Sequence, residues 1–214
     1  MITITEAVRS IVLDDDIAHQ AIYDGLLNLS AYAEKISSKV EERAHKKVQK
    51  GTVVVALTRI SEEINNLSSL RPRVVLDDLI IKMPLCDITF SKTELTRSKL
   101  ASLYSGIEIS ENAFFMSTQG MSEITIIAPE SLIDNILMHF ENKPIVIYKN
   151  RAGITVRFAK EYLDVPNILY TLQAALAVHR INFTEIVSTY TEFSFVIDKA
   201  DLEVATQALQ KFQA

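Results

Sequence analysis

The 214-residue chain carries 22 Lys and Arg against 27 Asp and Glu, a net charge of -5, and 48% of its residues are hydrophobic. That apolar content excludes a disordered or fibrous protein, and the negative balance excludes coating of nucleic acid through bulk charge, leaving only a local basic patch for such a role. A single cysteine, Cys86, excludes an intrachain disulfide and makes a reducing compartment the simplest expectation.

The opening MITITEAVRSIVLDDD has no basic stretch leading into an apolar one, so it does not read as a secretory signal and the expected location is cytoplasmic. From here to residue 72 the apolar positions recur three and four apart, which predicts helices. Asp14, Asp15 and Asp16 precede IAHQAIYDGLL and read as a helix N-cap with favourable dipole charge rather than as a metal site. Leu29, Ala33, Ile36 and Val40 form one apolar stripe, and Val53, Leu57, Ile60, Ile64 and Leu67 form another. HKKVQKG, ending at Gly51, is the predicted turn between them. The stretch LSAYAEKISSKVEERAHKKVQKGTVVVALTRI resembles a helix-turn-helix, and Lys35, Lys39, Arg43, Lys46, Lys47 and Lys50 make it locally basic. Phosphate contacts would need such residues on one face. The segment through Arg73 nevertheless balances ten basic against ten acidic side chains, so a helical packing or dimerisation module stands ahead of DNA binding.

Pro72, in NNLSSLRPRVV, disfavours helix at the residue before it and marks the main boundary, with residues 1-72 forming a helical domain. Beyond it strands alternate with helices. Val75 to Phe90 reads as extended, Ser91 to Ser105 as helix, Ala113 to Thr118 and Ile124 to Ala128 as strands, Ser131 to Phe140 as helix and Ile145 to Tyr148 as strand. The order then starts over, with a strand at Gly153 to Lys160, a helix at Asp164 to His179, strands at Asn182 to Thr189 and Glu192 to Ile197, and a helix at Asp201 to Phe212. DITFSKTELTRSKLASLY answers GITVRFAKEYLDVPNILYTL, and AFFMSTQGMSEITII answers NFTEIVSTYTEFSFV. This internal repeat predicts an α+β fold in which the N-terminal all-helical domain is followed by two ferredoxin-like βαββαβ units, at 74-150 and 151-214.

The run from Gly153 to Leu209 resembles the ACT domain, the small ligand-sensing module found in tandem at the regulatory end of aspartate kinases. The residues that carry the resemblance are Asp164-Val165-Pro166-Asn167 at a strand-to-helix turn, Ile181-Asn182-Phe183 at a strand start, and Ser188 to Phe195 at a hairpin. The likeness is strong over this second unit and weaker over the first. Family members usually carry Gly where this chain has Asn167, a residue that tolerates a left-handed or tight-turn backbone. No part of the chain resembles the kinase catalytic domain.

The resemblance implies a non-catalytic regulatory protein that senses a small metabolite, an amino acid first, with Tyr162, Leu163, Asp164, Val165, Pro166, Asn167, Ile168, Asn182 and Phe183 as the contacts. It also implies a homodimer assembled through the tandem units. Read on their own, Asp164 can cap a helix whose first turn holds Pro166, and the free N–H groups there suit a carboxylate. The bland reading is a capped helix start and nothing more. A regulatory subunit of a separate biosynthetic enzyme and a DNA-binding regulator are the alternatives.

The remaining chemistry is sparse. Five scattered glycines make no phosphate loop, and His19, His45, His139 and His179 lack metal-ligand spacing. No cofactor is expected, and Cys86 reads as a small buried hydrophobe. The uncharged run from Val165 to His179 is too short to span a bilayer. Phe183 to Val187 and Phe193 to Ile197 carry few charges to protect an open strand edge, which favours a dimer over a monomer whose two units pair with each other.

Overall fold

The computed structural model describes residues 2–213. By packing, the chain divides into two units, one of the residues through Arg73 with Val165–Thr171, the other of Val74–Asp164 with the residues from Leu172 onward.

The first unit is built on four helices, α1 (Ile4–Leu13), α2 (Asp16–Tyr23), α3 (Leu29–Ala44) and α4 (Lys50–Asn65). Their starts are fixed locally. Thr3 and Glu6 form a reciprocal capping box, the Asp15 carboxylate accepts the Ala18 N–H at 2.9 Å, and Asn28 accepts the Ala31 N–H at 3.0 Å. The acidic run is thus a helix start, as its position before an apolar stretch predicts. Val8, Ile11, Ile36, Val40, Leu57 and Ile60 meet in one core. Two details differ from expectation. Leu67 is 55% exposed because α4 ends at Asn65, and Gly51 lies inside α4. The turn before it is closed by His45, held at φ 52.

The second unit is α+β. Its elements follow as β1 (Leu76–Ser91), α5 (Glu94–Gly106), β2 (Met116–Gln119), β3 (Glu123–Pro129), α6 (Ile133–Phe140), β4 (Val146–Phe158), α7 (Ile168–Ala177, whose first turn groups with the helical unit), β5 (Phe183–Ser188), β6 (Glu192–Asp198) and α8 (Leu202–Gln210). The strands form one six-stranded sheet of order β2-β3-β1-β4-β6-β5, with antiparallel neighbours throughout. On one face Ile88 and Phe90 of β1 and Ile126 of β3 pack under Leu103 of α5 and Phe140 of α6, with the Phe90 and Phe140 rings stacked at 4.3 Å. On the other face Leu85 and Ile127 meet Val196, with Phe114, Met116 and Val187 against them. Residues of β1 and β3 therefore pack on residues of β5 and β6, so the inner faces of the two half-sheets close on each other.

Three expectations change here. The strands expected at 145–148 and 153–160 are one strand, β4, which continues through the polar Lys149-Asn150-Arg151 because Asn150 takes a left-handed φ of 54 and β1 shifts register opposite it. The helix expected from Asp164 begins at Ile168. The run Phe193 to Ile197 offers no open edge, since β6 is hydrogen-bonded to β4 on one side and β5 on the other. The sheet edges are β2 and β5.

Candidate functional site

The turn nominated by sequence, Tyr162 to Ile168, joins β4 to α7. The Tyr162 hydroxyl accepts the Val75 N–H at 3.1 Å, Val165 is half-buried, and Leu163, Asp164, Pro166 and Asn167 are exposed. Asn167 stands at φ 71, a left-handed conformation that Asn accepts more readily than most side chains. Its carbonyl takes the Thr171 N–H at 2.9 Å and the Thr171 hydroxyl at 3.0 Å. That backbone reversal keeps the helix from starting earlier, so Asp164 sits in the preceding turn and Ile168 is the first helical residue and buried. Asn182 is exposed just ahead of β5, and Phe183 opens that strand with its ring 5.7 Å from Phe195.

A cleft missed in the sequence lies in the first half of the sheet unit. A cleft of about 620 Å³ opens between α5 and the edge strand β2, lined by Glu94, Arg97, Ser98 and Tyr104 on one wall and Ser117 and Gln119 on the other. Thr93 and Thr96 close the N-terminus of α5 with a reciprocal cap, Thr93 Oγ1 accepting the Thr96 N–H at 3.1 Å and Thr96 Oγ1 the Thr93 N–H at 2.7 Å. This sets the first helical turn and so places Glu94 and Arg97, three residues apart, on neighbouring positions of the wall. Tyr104 stands within 3.4 Å of the Ser117 hydroxyl and packs edge-on to Phe115 at 5.5 Å. The internal repeat was the signal that could have found it, because it sets the start of α5 opposite the nominated turn.

The helical unit holds a smaller cleft of about 350 Å³ between Asp14, Asp15 and Asp16 and the α3 stripe Lys35, Lys39 and Arg43. Arg43 pairs with Asp14 at 2.9 Å and also donates to the Ser10 hydroxyl. Tyr32 donates to Asp15 at 3.1 Å, and burial first, then the Asp15 charge, raises its phenol well above the usual range. Lys50 is engaged with Glu34 at 2.6 Å. Two of the six basic residues of the locally basic stretch thus spend their charge inside the unit.

Other groups are accounted for by burial. The Cys86 thiol, fully buried under α6, is pushed up to about 11 by desolvation. Among the described residues no cluster of three or more His, Cys, Asp or Glu side chains is placed to hold a metal ion. Nor, among them, is any helix long and apolar enough to cross a membrane.

No protein-family model matches the sequence, and no curated protein does. The fold has clear relatives among solved structures. The aspartate kinase of Clostridium acetobutylicum superposes with a TM-score of 0.53 at 14% identity over 65% of this chain. The regulatory subunit of aspartate kinase from Thermus flavus gives 0.53 at 12% identity over 64%, and aspartokinase III of E. coli, in complex with aspartate and ADP, gives 0.51 at 13% over 65%. The match spans 35% of the clostridial enzyme and 34% of the E. coli one, but 98% of the Thermus flavus subunit. Over about 65% of its length the chain shares its fold with the regulatory subunit of aspartate kinase and with part of the whole kinases.

Proposed function

We propose that the protein is a non-catalytic regulator that binds a small zwitterionic metabolite, an amino acid in the first instance, on its α+β unit. The observation that carries this reading is the α5–β2 cleft. Arg97 can pair with a carboxylate in a bidentate way, Glu94 can take an ammonium group, and Leu100 with the Tyr104 ring supplies an apolar wall for a side chain. The turn from Tyr162 to Ile168, with Asn182 and Phe183, is the corresponding candidate in the second half, so the sheet is read as two βαββαβ units of ACT type that each present one site. The match to a regulatory subunit of aspartate kinase, over 98% of that chain and 64% of this one, supports action on a separate biosynthetic enzyme. On this reading the protein works in the cytoplasm; the two halves pair with each other within the chain through β1 and β4, so a second copy would have to add at the edge strands β2 or β5.

A thermal-shift screen of the full chain against the twenty amino acids tests it, since a ligand that binds only the folded state raises Tm. The reading expects a shift with one or a few of them. A flat response to all twenty at millimolar concentration contradicts it.

A further inference from the structure

The closed inner face of the sheet holds a carboxylate pair that the proposed ligand site does not use. Asp87 of β1 is 2% exposed, and its Oδ1 has no hydrogen-bond partner. Glu185 of β5 is half-buried; Asp87 lies across from Ile127 and Glu185 across from Val196, two residues that pack together, which brings both carboxylates to one region of the inner face. The other groups facing the pair are identifiable strand by strand. The Thr89 and Thr125 hydroxyls nearby bond each other at 2.9 Å and the Thr184 hydroxyl donates to the Val196 carbonyl at 3.3 Å, while Glu123 of β3 adds a negative charge near Glu185 and Arg151 of β4 a positive one near Asp87. Arg151 is already committed elsewhere, with Nη1 on Asp198 of β6 at 3.0 Å and the guanidinium 5.0 Å over the Tyr148 ring, while its buried Nε has no partner.

We propose that Asp87 and Glu185 form a proton-operated latch, which holds the inner faces of the two half-sheets together while the pair keeps a proton and loosens them when both carboxylates ionise. The two residues come from opposite halves of the sheet and are the cross-strand partners of Ile127 and Val196, whose contact joins those halves. Arg151 acts on Asp87 alone and is already paired with Asp198, and an unpaired buried carboxylate is costly. Burial raises the Asp87 carboxyl above the usual range, with Arg151 and the Thr184 and Thr89 hydroxyls pulling the other way. Burial, then the Asp87 charge, raises Glu185.

A carboxyl whose folded value lies above its unfolded one favours the native state while protonated. Its contribution is complete below the unfolded value and is lost as pH rises through the folded value, the proton leaving to solvent. The latch therefore tightens in acid and loosens from the usual carboxylate range upward.

The test is the melting temperature of the full-length protein across pH, compared with Asp87→Asn and Glu185→Gln. The wild type should lose about 3 °C or more relative to either variant on passing from mildly acidic to alkaline buffer, and amide exchange in β3 and β5 should gain protection from Asp87→Asn at the alkaline end. If Asp87→Asn does not fold, Glu185→Gln alone carries the comparison. Parallel wild-type and variant profiles, with unchanged exchange in those strands, overturn the latch.

Discussion

The hydroxyl of Thr155 lies 2.7 Å from that of Ser194, in the buried interior between β4 and β6. Thr89 and Thr125 stand 2.9 Å apart between β1 and β3 in the same relation. The repeat read from the sequence sets Thr89 opposite Thr155 and Thr125 opposite Ser194, so one buried hydroxyl pair occurs in each half at equivalent positions. Removing one partner strands the other without water. Thr155→Val should cost about 1–3 kcal/mol, and adding Ser194→Ala should cost less than the sum of the single changes, because the second change removes the orphaned group. Urea unfolding of the three variants measures the difference.

Gly153 takes the place in the second half that Asp87 holds in the first. A Cβ there would stand 2.9 Å from the Leu85 side chain and 3.4 Å from the Phe114 ring, and Leu85 is buried and has little room to yield. Gly153→Ala should destabilise by roughly 1–3 kcal/mol through overpacking, read as a lower denaturation midpoint at unchanged slope.

Asn167 tests the turn before α7. Its φ of 71 suits Gly, so Asn167→Gly should keep stability within about 0.5 kcal/mol, whereas Asn167→Val should cost about 1–2 kcal/mol by forcing a β-branched residue into left-handed backbone. Thermal unfolding separates the two.

Cys86 should be inert in the native protein. With the thiol held near 11 by burial, little thiolate exists at neutral pH, and the side chain has no access to solvent. A disulfide-exchange reagent should label Cys86 only as fast as the protein unfolds, and label it rapidly in urea. Fast labelling of the native protein would contradict the burial of β1 beneath α6.

The alternation of strands and helices was legible because the three-and-four apolar spacing of the helices gives way to an Ile-rich run with Cys86, Ile88 and Phe90 two apart, and because the two halves repeat the order of elements. Backbone reversals were not. Asn150 and Asn167 both take left-handed conformations, yet the first keeps β4 continuous where a turn was expected and the second delays a helix where a cap was expected. The residue is the same in both, and at Asn150 the outcome is set by strand pairing that only the folded sheet supplies. The nominated turn drew attention through Asp164-Val165-Pro166-Asn167, while the α5–β2 cleft depends on Arg97, Tyr104 and Ser117 meeting across two elements. No local motif announces that meeting.

The most direct test of the central claim is titration of the amino acid that gives the largest thermal shift into wild-type protein and into Arg97→Ala, followed by calorimetry. Arg97 lies on the exposed wall of the cleft, so the variant should fold and melt like the wild type without ligand. Loss of one charge-assisted contact of about 1.5–3 kcal/mol should weaken binding roughly 10- to 100-fold. Equal affinity of the two proteins for that amino acid would contradict the placement of the ligand between α5 and β2.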